Sequence, residues 1–204
     1  MPTDTPDAPR WRTYSERTLY DNPWVRLVQV DLEPPDGHRF WHHVVRLQPI
    51  AAAVVLDDHD RVLMLWRHRF VTDTFAWELP GGIIMPGEDG AASAVREVEE
   101  ETGWRPTGRP ERLMSFQPMP GMVDAPHEVY IVCGAEYISE PTDTEEAGRV
   151  AWVPLDEVGQ LIHDGQVAAA GSLVGLLYFL ATPSEPTRRR SSRSRTNSGS
   201  ALLP

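Results

Sequence analysis

The sequence predicts a mixed α/β or α+β fold in which helices cover both faces of a sheet. Short apolar runs of strand length are interleaved with three segments of helical periodicity, and clusters of Pro, Gly, Asp and Ser separate them. The chain has 204 residues, of which 41% are hydrophobic, so it can bury the core of one compact domain.

The N-terminal sequence predicts a disordered start followed by a small β-subdomain. Residues 1–10 are rich in Pro and Asp and lack apolar periodicity. Two strand-like runs follow, at 24–32 and 39–47, and a turn-forming Pro-Pro-Asp-Gly joins them. We therefore assign residues 11–49 to a β-extension that precedes the main domain.

The main domain is expected to span residues 50–182. Residues 51–70 predict a hairpin, because two apolar strands flank a polar Asp-Asp-His-Asp turn. A glycine-rich turn then leads into a helix from about 90 to 101. Asp89 is its expected N-cap and Gly103 its expected C-terminal stop.

The C-terminal third continues the same pattern and then changes in composition. Further strands surround a Pro/Gly loop, and an acidic loop precedes a strand and two helical segments, at 155–164 and 168–181. Residues 183–204 hold five arginines among Ser, Thr and Pro without periodicity, which predicts a disordered tail.

Charge and cysteine content narrow the function classes. The net charge is −11, and no lysine is present, which argues against nucleic acid as the main partner. No run reaches the length of a membrane span and the start does not resemble a signal peptide, so we expect a cytoplasmic protein. The single cysteine, Cys133, lies in an apolar run and is expected to be a buried structural thiol.

The helix at 90–101 carries an unusual acidic face. Glu97, Glu100 and Glu101 are related by spacings of three and four, so they project from one side of the helix. A solvated acidic face is the alternative, but such a face would intersperse several basic partners, and this helix has only Arg96. Clustered carboxylates are ligands that Mg²⁺ prefers, and the preceding glycines allow a backbone carbonyl to approach.

The stretch from Gly82 to Trp104 resembles the 23-residue signature of Nudix hydrolases. Glu88 and the run Arg96-Glu97-Val98-Glu99-Glu100-Glu101-Thr102-Gly103 stand at the signature's spacings. The resemblance implies an α/β/α sandwich with a mixed sheet, and metal-dependent hydrolysis of a nucleoside diphosphate linked to another moiety. It implies Mg²⁺, with Mn²⁺ as the alternative, and two or more ions per site.

Carried over by position, the resemblance also implies roles for individual residues. The implied metal ligands are Glu97, Glu100, Glu101 and the Gly81 carbonyl. Glu88 and Arg96 would support them, and Arg96 and Glu100 are also counted among the catalytic candidates.

Features outside this signature are similar to those of ADP-ribose pyrophosphatases. An arginine after the hairpin strand would meet the substrate's phosphates, with Arg69 as the better match and Arg67 second. A proline 16 residues beyond the signature, here Pro120, and the N-terminal β-extension are also similar, and the extension implies a homodimer. The implied substrate-binding set is Arg69, Arg67, Glu78, Arg26, Pro120 and Glu128.

Two positions decide how far this resemblance extends. The subfamily usually has a glutamate where this chain has Ala125, and Asp124 and Glu128 lie nearby.

The general base would come from the loop before the last strand, where Glu146 is favoured over Glu145. The expected reaction is Mg²⁺-dependent cleavage of ADP-ribose or a related nucleoside diphosphate sugar to a nucleoside monophosphate and a sugar phosphate.

Features of the sequence disfavour two alternative functions. A house-cleaning nucleoside triphosphate pyrophosphohydrolase is disfavoured by the N-terminal extension and Pro120. A nucleotide sensor without turnover is disfavoured by the intact signature and by the lack of a helix-turn-helix pattern.

Overall fold

The computed structural model describes residues 8–142 and 148–182. Glu145, Glu146, the tail at 183–204 and most of the predicted disordered start lie outside the described residues. The strands are β1 Arg12–Asp21, β2 Val25–Glu33, β3 Phe40–Leu47, β4 Ile50–Leu56, β5 Arg61–Arg69, β6 Thr74–Glu78, β7 Gly81–Ile83, β8 Trp104–Pro106, β9 Glu111–Phe116, β10 Val123–Asp124, β11 His127–Cys133, β12 Ala135–Tyr137 and β13 Arg149–Pro154. The helices are α1 Gly90–Thr102, α2 Leu155–His163 and α3 Ala170–Ala181.

A seven-stranded mixed sheet forms the centre of the main domain. Its order is β13-β5-β4-β11-β9, with β6 paired to β5 and β7 paired to β4. The predicted hairpin is present, but β4 and β5 pair only at Leu56 and Val62, close to the turn. Because the two strands diverge beyond this pair, β6 and β7 can pair with them at the opposite end.

Helices cover both faces of this sheet, as the sequence predicts. On one face α1 inserts its small apolar stripe, with Ala94 and Val98 packed against Ala51, Val55 and their neighbours. On the other face α2 and α3 pack through Val158 and Leu176 against residues such as Val54, Met64 and Val129. Small residues on α1 bring that helix close to the strand ends, so its acidic edge meets the β7 turn.

The N-terminal region differs from the prediction in its strand count. It forms a separate four-stranded sheet in the order β1-β2-β3-β10, and β1 was not predicted. Every residue of β1 is exposed, so the strand lacks the apolar alternation by which a half-buried strand is recognised. The short strand β10 joins this sheet parallel to β3, which ties the extension to the main domain.

The ends of α1 agree with the prediction only in part. Gly103 has φ 72° and donates its N–H to the Glu99 carbonyl, which is the expected left-handed stop. Asp89 occupies the N-cap position, but its side chain makes no capping hydrogen bond.

The prediction of a buried Cys133 is wrong, because this side chain is exposed. Cys133 is the last residue of β11, directly after four buried residues of that strand.

Candidate active site

Two glycines let the β7 turn approach α1 and β4 more closely than any side chain would permit. A Cβ atom at Gly82 would lie 2.5 Å from the Glu97 Cδ and 2.6 Å from both carboxylate oxygens. A Cβ atom at Gly81 would lie 2.5 Å from the Ala51 carbonyl oxygen. The Glu97 carboxylate is therefore cradled by the backbone at Gly82.

Arg96 organises the carboxylates on the outer part of this face. Its Nη1 donates to Glu97 Oε1 at 2.7 Å and to Glu100 Oε2 at 2.9 Å. Its Nε donates to Glu88 Oε1 at 3.0 Å, and its Nη2 donates to the Ile83 carbonyl at 3.0 Å. The hydrogen bond from Arg96 lowers the pKa of Glu88 to about 2. One guanidinium thus joins the start of the helix to two of the predicted metal ligands.

Glu101 is the buried member of the predicted ligand set, with 4% of its surface exposed. Its Oε2 accepts a hydrogen bond from the Gly81 N–H at 2.8 Å, and its Oε1 accepts one from Arg67 Nη1. Burial raises the pKa of Glu101 to about 7, although the charge and hydrogen bond of Arg67 act in the opposite direction.

A buried ion-pair network continues from Glu101 toward Arg69. Arg67 Nε donates to Glu78 Oε2 at 3.0 Å, and Arg69 Nη2 donates to the same oxygen at 2.7 Å. Burial alone would raise the pKa of Glu78, but Arg69 and Arg67 outweigh it, so this pKa lies below its usual value. Glu78 therefore holds two arginines in place as an ionised carboxylate.

The two arginines differ in their access to a ligand. Both border a cavity of about 800 Å³ that Thr72, Thr74 and Ala169 also line. The Arg67 side chain is 3% exposed, whereas that of Arg69 is 41% exposed. Of the two, Arg69 is the one that can contact a phosphate without rearrangement of the core.

The donor chemistry of this region fits a hard divalent cation. Glu97, Glu100, Glu101 and the nearby Gly81 carbonyl supply only oxygen ligands, and the Gly82 cradle places one carboxylate against the turn. Within residues 8–142 and 148–182, no three acidic, His or Cys side chains converge tightly enough to hold an ion. The carboxylates form ion pairs with arginines, Glu97 and Glu100 with Arg96 and Glu101 with Arg67.

Three predicted substrate-binding residues lie apart from this cluster. Arg26 is on the N-terminal sheet, where it pairs with Glu16 at 3.1 Å. Pro120 borders a separate cavity of about 420 Å³ between that sheet and the segment before β10. Glu128 lies at the N-terminal end of α1, where it accepts a hydrogen bond from the Tyr130 hydroxyl.

Neither Ala125 nor its neighbour Asp124 supplies the glutamate that the resemblance implies at this position. Ala125 is 1% exposed, and its N–H donates to Gln117 Oε1 at 2.9 Å. Asp124, its neighbour, accepts hydrogen bonds from Arg46 and Gln117 and so faces the N-terminal sheet.

The buried ion pair between Arg67 and Glu101 was not predicted from the sequence, in which Arg67 was interpreted only as the second choice for a phosphate ligand. Arg67 and Arg69 are two residues apart on β5 and so share a face of the sheet. That alternation was the available signal, but the contact with Glu101 depends on how α1 packs over the strand.

The NUDIX domain family model matches residues 46–173. The chain belongs to the NUDIX family. A relative from Streptomyces rubellomurinus (strain ATCC 31215), named CMP-5'-(N-acetyl-N-hydroxy-3-aminopropyl)phosphonate hydrolase, is 43% identical over 171 residues, which cover 84% of this chain and 82% of the relative. The ADP-ribose pyrophosphatase of Bacillus subtilis (strain 168) is 23% identical over 170 residues, covering 82% of this chain and 91% of that protein.

Structural comparison supports the same NUDIX fold. A solved structure described as an ADP compounds hydrolase superimposes with a TM-score of 0.72 at 19% identity, covering 84% of this chain and 92% of the other. The predicted α/β fold and the predicted Nudix pyrophosphohydrolase resembling ADP-ribose pyrophosphatases are thereby confirmed. None of the helices in the described ranges has the length and apolar character needed to cross a membrane.

Proposed function

We propose that this chain uses a divalent metal ion to hydrolyse a phosphoanhydride that links a nucleoside monophosphate to a second phosphorylated group. The proposed substrates are ADP-ribose or a related nucleoside diphosphate sugar, and the products are a nucleoside monophosphate and a sugar phosphate. The observation that carries the proposal is the ion-pair network that connects the accessible Arg69, through Glu78 and Arg67, to Glu101. This connection supports a single site in which Arg69 would bind the substrate and the carboxylates would bind the metal.

Glu97, Glu100, Glu101 and the Gly81 carbonyl would hold the ion or ions, with Mg²⁺ as the expected metal and Mn²⁺ as the alternative. When bound, such ions polarise the phosphoryl group and lower the pKa of an attacking water. We expect two or more ions, because a phosphoanhydride brings several negative charges to a site that is itself acidic.

Arg69 would bind the phosphate that leaves and stabilise its charge as the bond breaks. Glu146, or Glu145 as second choice, would accept the proton from the attacking water. The residues that flank segment 143–147 lie close to the proposed site, which supports this role. The Thr142 N–H donates to the Glu100 carbonyl at 2.9 Å, and a Cβ at Gly148 would lie 2.9 Å from the Arg67 Cβ.

A second candidate substrate is a CMP-linked phosphonate. The relative that is named for this activity is 43% identical over most of both chains. A phosphonate offers the same charged oxygens to Arg69 and to a metal as a phosphate does, so the site chemistry is compatible with either. Ala125, which replaces the glutamate usual among ADP-ribose pyrophosphatases, also favours a substrate other than ADP-ribose.

A substrate panel in MgCl₂ tests the proposal. It contains ADP-ribose, other nucleoside diphosphate sugars, a CMP-linked alkylphosphonate and nucleoside triphosphates, with products identified by mass spectrometry. We expect a nucleoside monophosphate from one of the first three classes. Release of pyrophosphate from triphosphates would instead identify a house-cleaning enzyme, and no turnover at all would support a sensor.

The proposed metal site has its own variant test. Glu101→Gln removes one ligand charge with little change in volume, so we expect at least a hundredfold loss of kcat/KM with the fold retained. An active Glu101→Gln variant would show that the metal ligands are assigned incorrectly.

We further propose that the protein is a cytoplasmic homodimer formed through the N-terminal sheet. Large aromatic side chains on and around β1 are exposed, including Trp11 at 58%, Tyr20 at 56% and Trp24 at 67%. Such exposed aromatic area is typical of an interface. Light scattering after size exclusion should give twice the mass of 22.9 kDa. Replacing Tyr20 and Trp24 by Ser should lower that mass, and a monomeric wild type would contradict the assignment.

A further inference from the structure

Four charges of alternating sign run from the cavity into the core. Arg69 lies at the cavity, Glu78 and Arg67 follow, and Glu101 is the last of the four. The three inner side chains are each 5% exposed or less. Arg67 therefore lies between two carboxylates and, although it borders the cavity, exposes only 3% of its side chain to a substrate.

We propose that Arg67 is a positioning residue that holds the Glu101 carboxylate in the orientation required for metal binding. The inference rests on the proposed function, because it takes Glu101 as a metal ligand, and it adds a role for a residue that touches neither substrate nor metal. It replaces the sequence-based interpretation of Arg67 as a second phosphate ligand.

The hydrogen-bond geometry is the first argument. Separate donors of the guanidinium bind the two buried carboxylates, with Nε directed to Glu78 and Nη1 to Glu101. Glu101 is held from the other side by the Gly81 N–H, at 2.8 Å from Oε2. Two donors on different elements thus fix both oxygens of one carboxylate. A planar fork can hold two carboxylates at set angles, whereas the ammonium group of lysine acts as a point charge.

Burial supplies the second argument. Glu78 and Glu101 are both buried and would repel each other without the cation between them. Loss of Arg67 would leave Glu78 paired with Arg69 but would remove the guanidinium that neutralises the buried Glu101 carboxylate. The Glu101 carboxylate would also lose the donor that sets its orientation, so the gain in stability on binding of a divalent ion should be smaller than in the wild type.

Thermal unfolding across a MgCl₂ titration, starting from EDTA, tests this role without any substrate. We expect Arg67→Met to lower the Tm in EDTA by roughly 6–12 °C. The same variant should show a smaller rise in Tm with MgCl₂ than the wild type, because the Glu101 carboxylate is no longer held in the orientation that binds the ion. Arg61→Met is the matched control, since Arg61 forms a half-exposed ion pair with Asp57 at the distant hairpin turn. Its Tm should change by less than about 3 °C, and its response to MgCl₂ should equal that of the wild type.

A second variant keeps the proposal testable if Arg67→Met does not fold. Arg67→Lys retains the charge but not the fork, so we expect it to fold and to need at least threefold more MgCl₂ for half of its thermal stabilisation. An unchanged midpoint in Arg67→Lys would show that charge alone suffices, which overturns a positioning role. An MgCl₂ response in Arg67→Met that equals or exceeds that of the wild type, or no response in the wild type, would also overturn it.

These outcomes are separable from failure of the proposed function. If the reaction is assigned incorrectly, the substrate panel gives no nucleoside monophosphate while the MgCl₂ responses follow the pattern above. If only the role of Arg67 is wrong, hydrolysis occurs and the two MgCl₂ titrations coincide.

Discussion

Replacing Gly82 by alanine should impair catalysis more than it impairs folding. The new Cβ would lie 2.5–2.6 Å from the atoms of the Glu97 carboxylate. Non-bonded carbon contacts are comfortable at about 3.5 Å, so the carboxylate must move by about 1 Å. A displacement of that size in a catalytic site costs on the order of a hundredfold in rate, or about 2.7 kcal/mol of transition-state stabilisation. Because the displaced group is the end of a flexible side chain, the fold should lose only about 1 kcal/mol.

The assay compares kcat/KM at saturating MgCl₂ with stability from urea unfolding. Gly81→Ala is the matched control, because its Cβ would lie 2.5 Å from the Ala51 carbonyl oxygen and 2.6 Å from the Ala52 Cα. Backbone in a central strand cannot move aside, so this variant should lose at least 3 kcal/mol of stability. In a Glu97→Ala background, Gly82→Ala should have little further effect on rate. A Gly82→Ala enzyme with activity within threefold of wild type would refute the reasoning.

Three further predictions concern stability. Arg96 lowers the pKa of Glu88 to about 2 from 4.5, so the stabilisation of the fold by this ion pair is complete above pH 4.5 and is lost as the pH falls toward 2. Glu88→Gln should therefore have a lower Tm than the wild type near neutral pH, and the difference should shrink as the pH falls from 4.5 to 2. A Tm difference that does not change with pH would contradict this prediction. Ser172→Ala should cost about 1–3 kcal/mol in urea unfolding, because the Ser172 hydroxyl accepts the buried Leu79 N–H at 2.9 Å; an unchanged midpoint would show that another acceptor replaces it. Ala125→Glu should lower the Tm by several degrees rather than restore an ADP-ribose preference, because this position is 1% exposed; a stable variant with improved ADP-ribose hydrolysis would contradict the burial argument.

Elements with strong local patterns were predictable within one or two residues. The helix expected at 90–101 extends over Gly90–Thr102, and the segment expected at 155–164 forms Leu155–His163. The strands expected at 24–32 and 39–47 extend over Val25–Glu33 and Phe40–Leu47. Apolar periodicity and turn residues act over a few positions, so these elements follow from the nearby sequence.

Features that depend on distant contacts were not predictable. The exposed strand β1 has no apolar face, and it exists because it pairs along β2. Cys133 lies in an apolar run but at the end of its strand, where the folded chain leaves it exposed.

The candidate site divides in the same way. Spacing alone brought Glu97, Glu100 and Glu101 to one face of a helix, and the family signature alone indicated the class of reaction. Only the tertiary structure placed the buried Arg67 between Glu78 and Glu101, although Arg67 and Glu101 are 34 residues apart in the sequence. It also left Arg69 partly exposed at the cavity. The physical reason is that helical spacing is a local property of the chain, whereas the partner of a buried charge depends on which elements pack together.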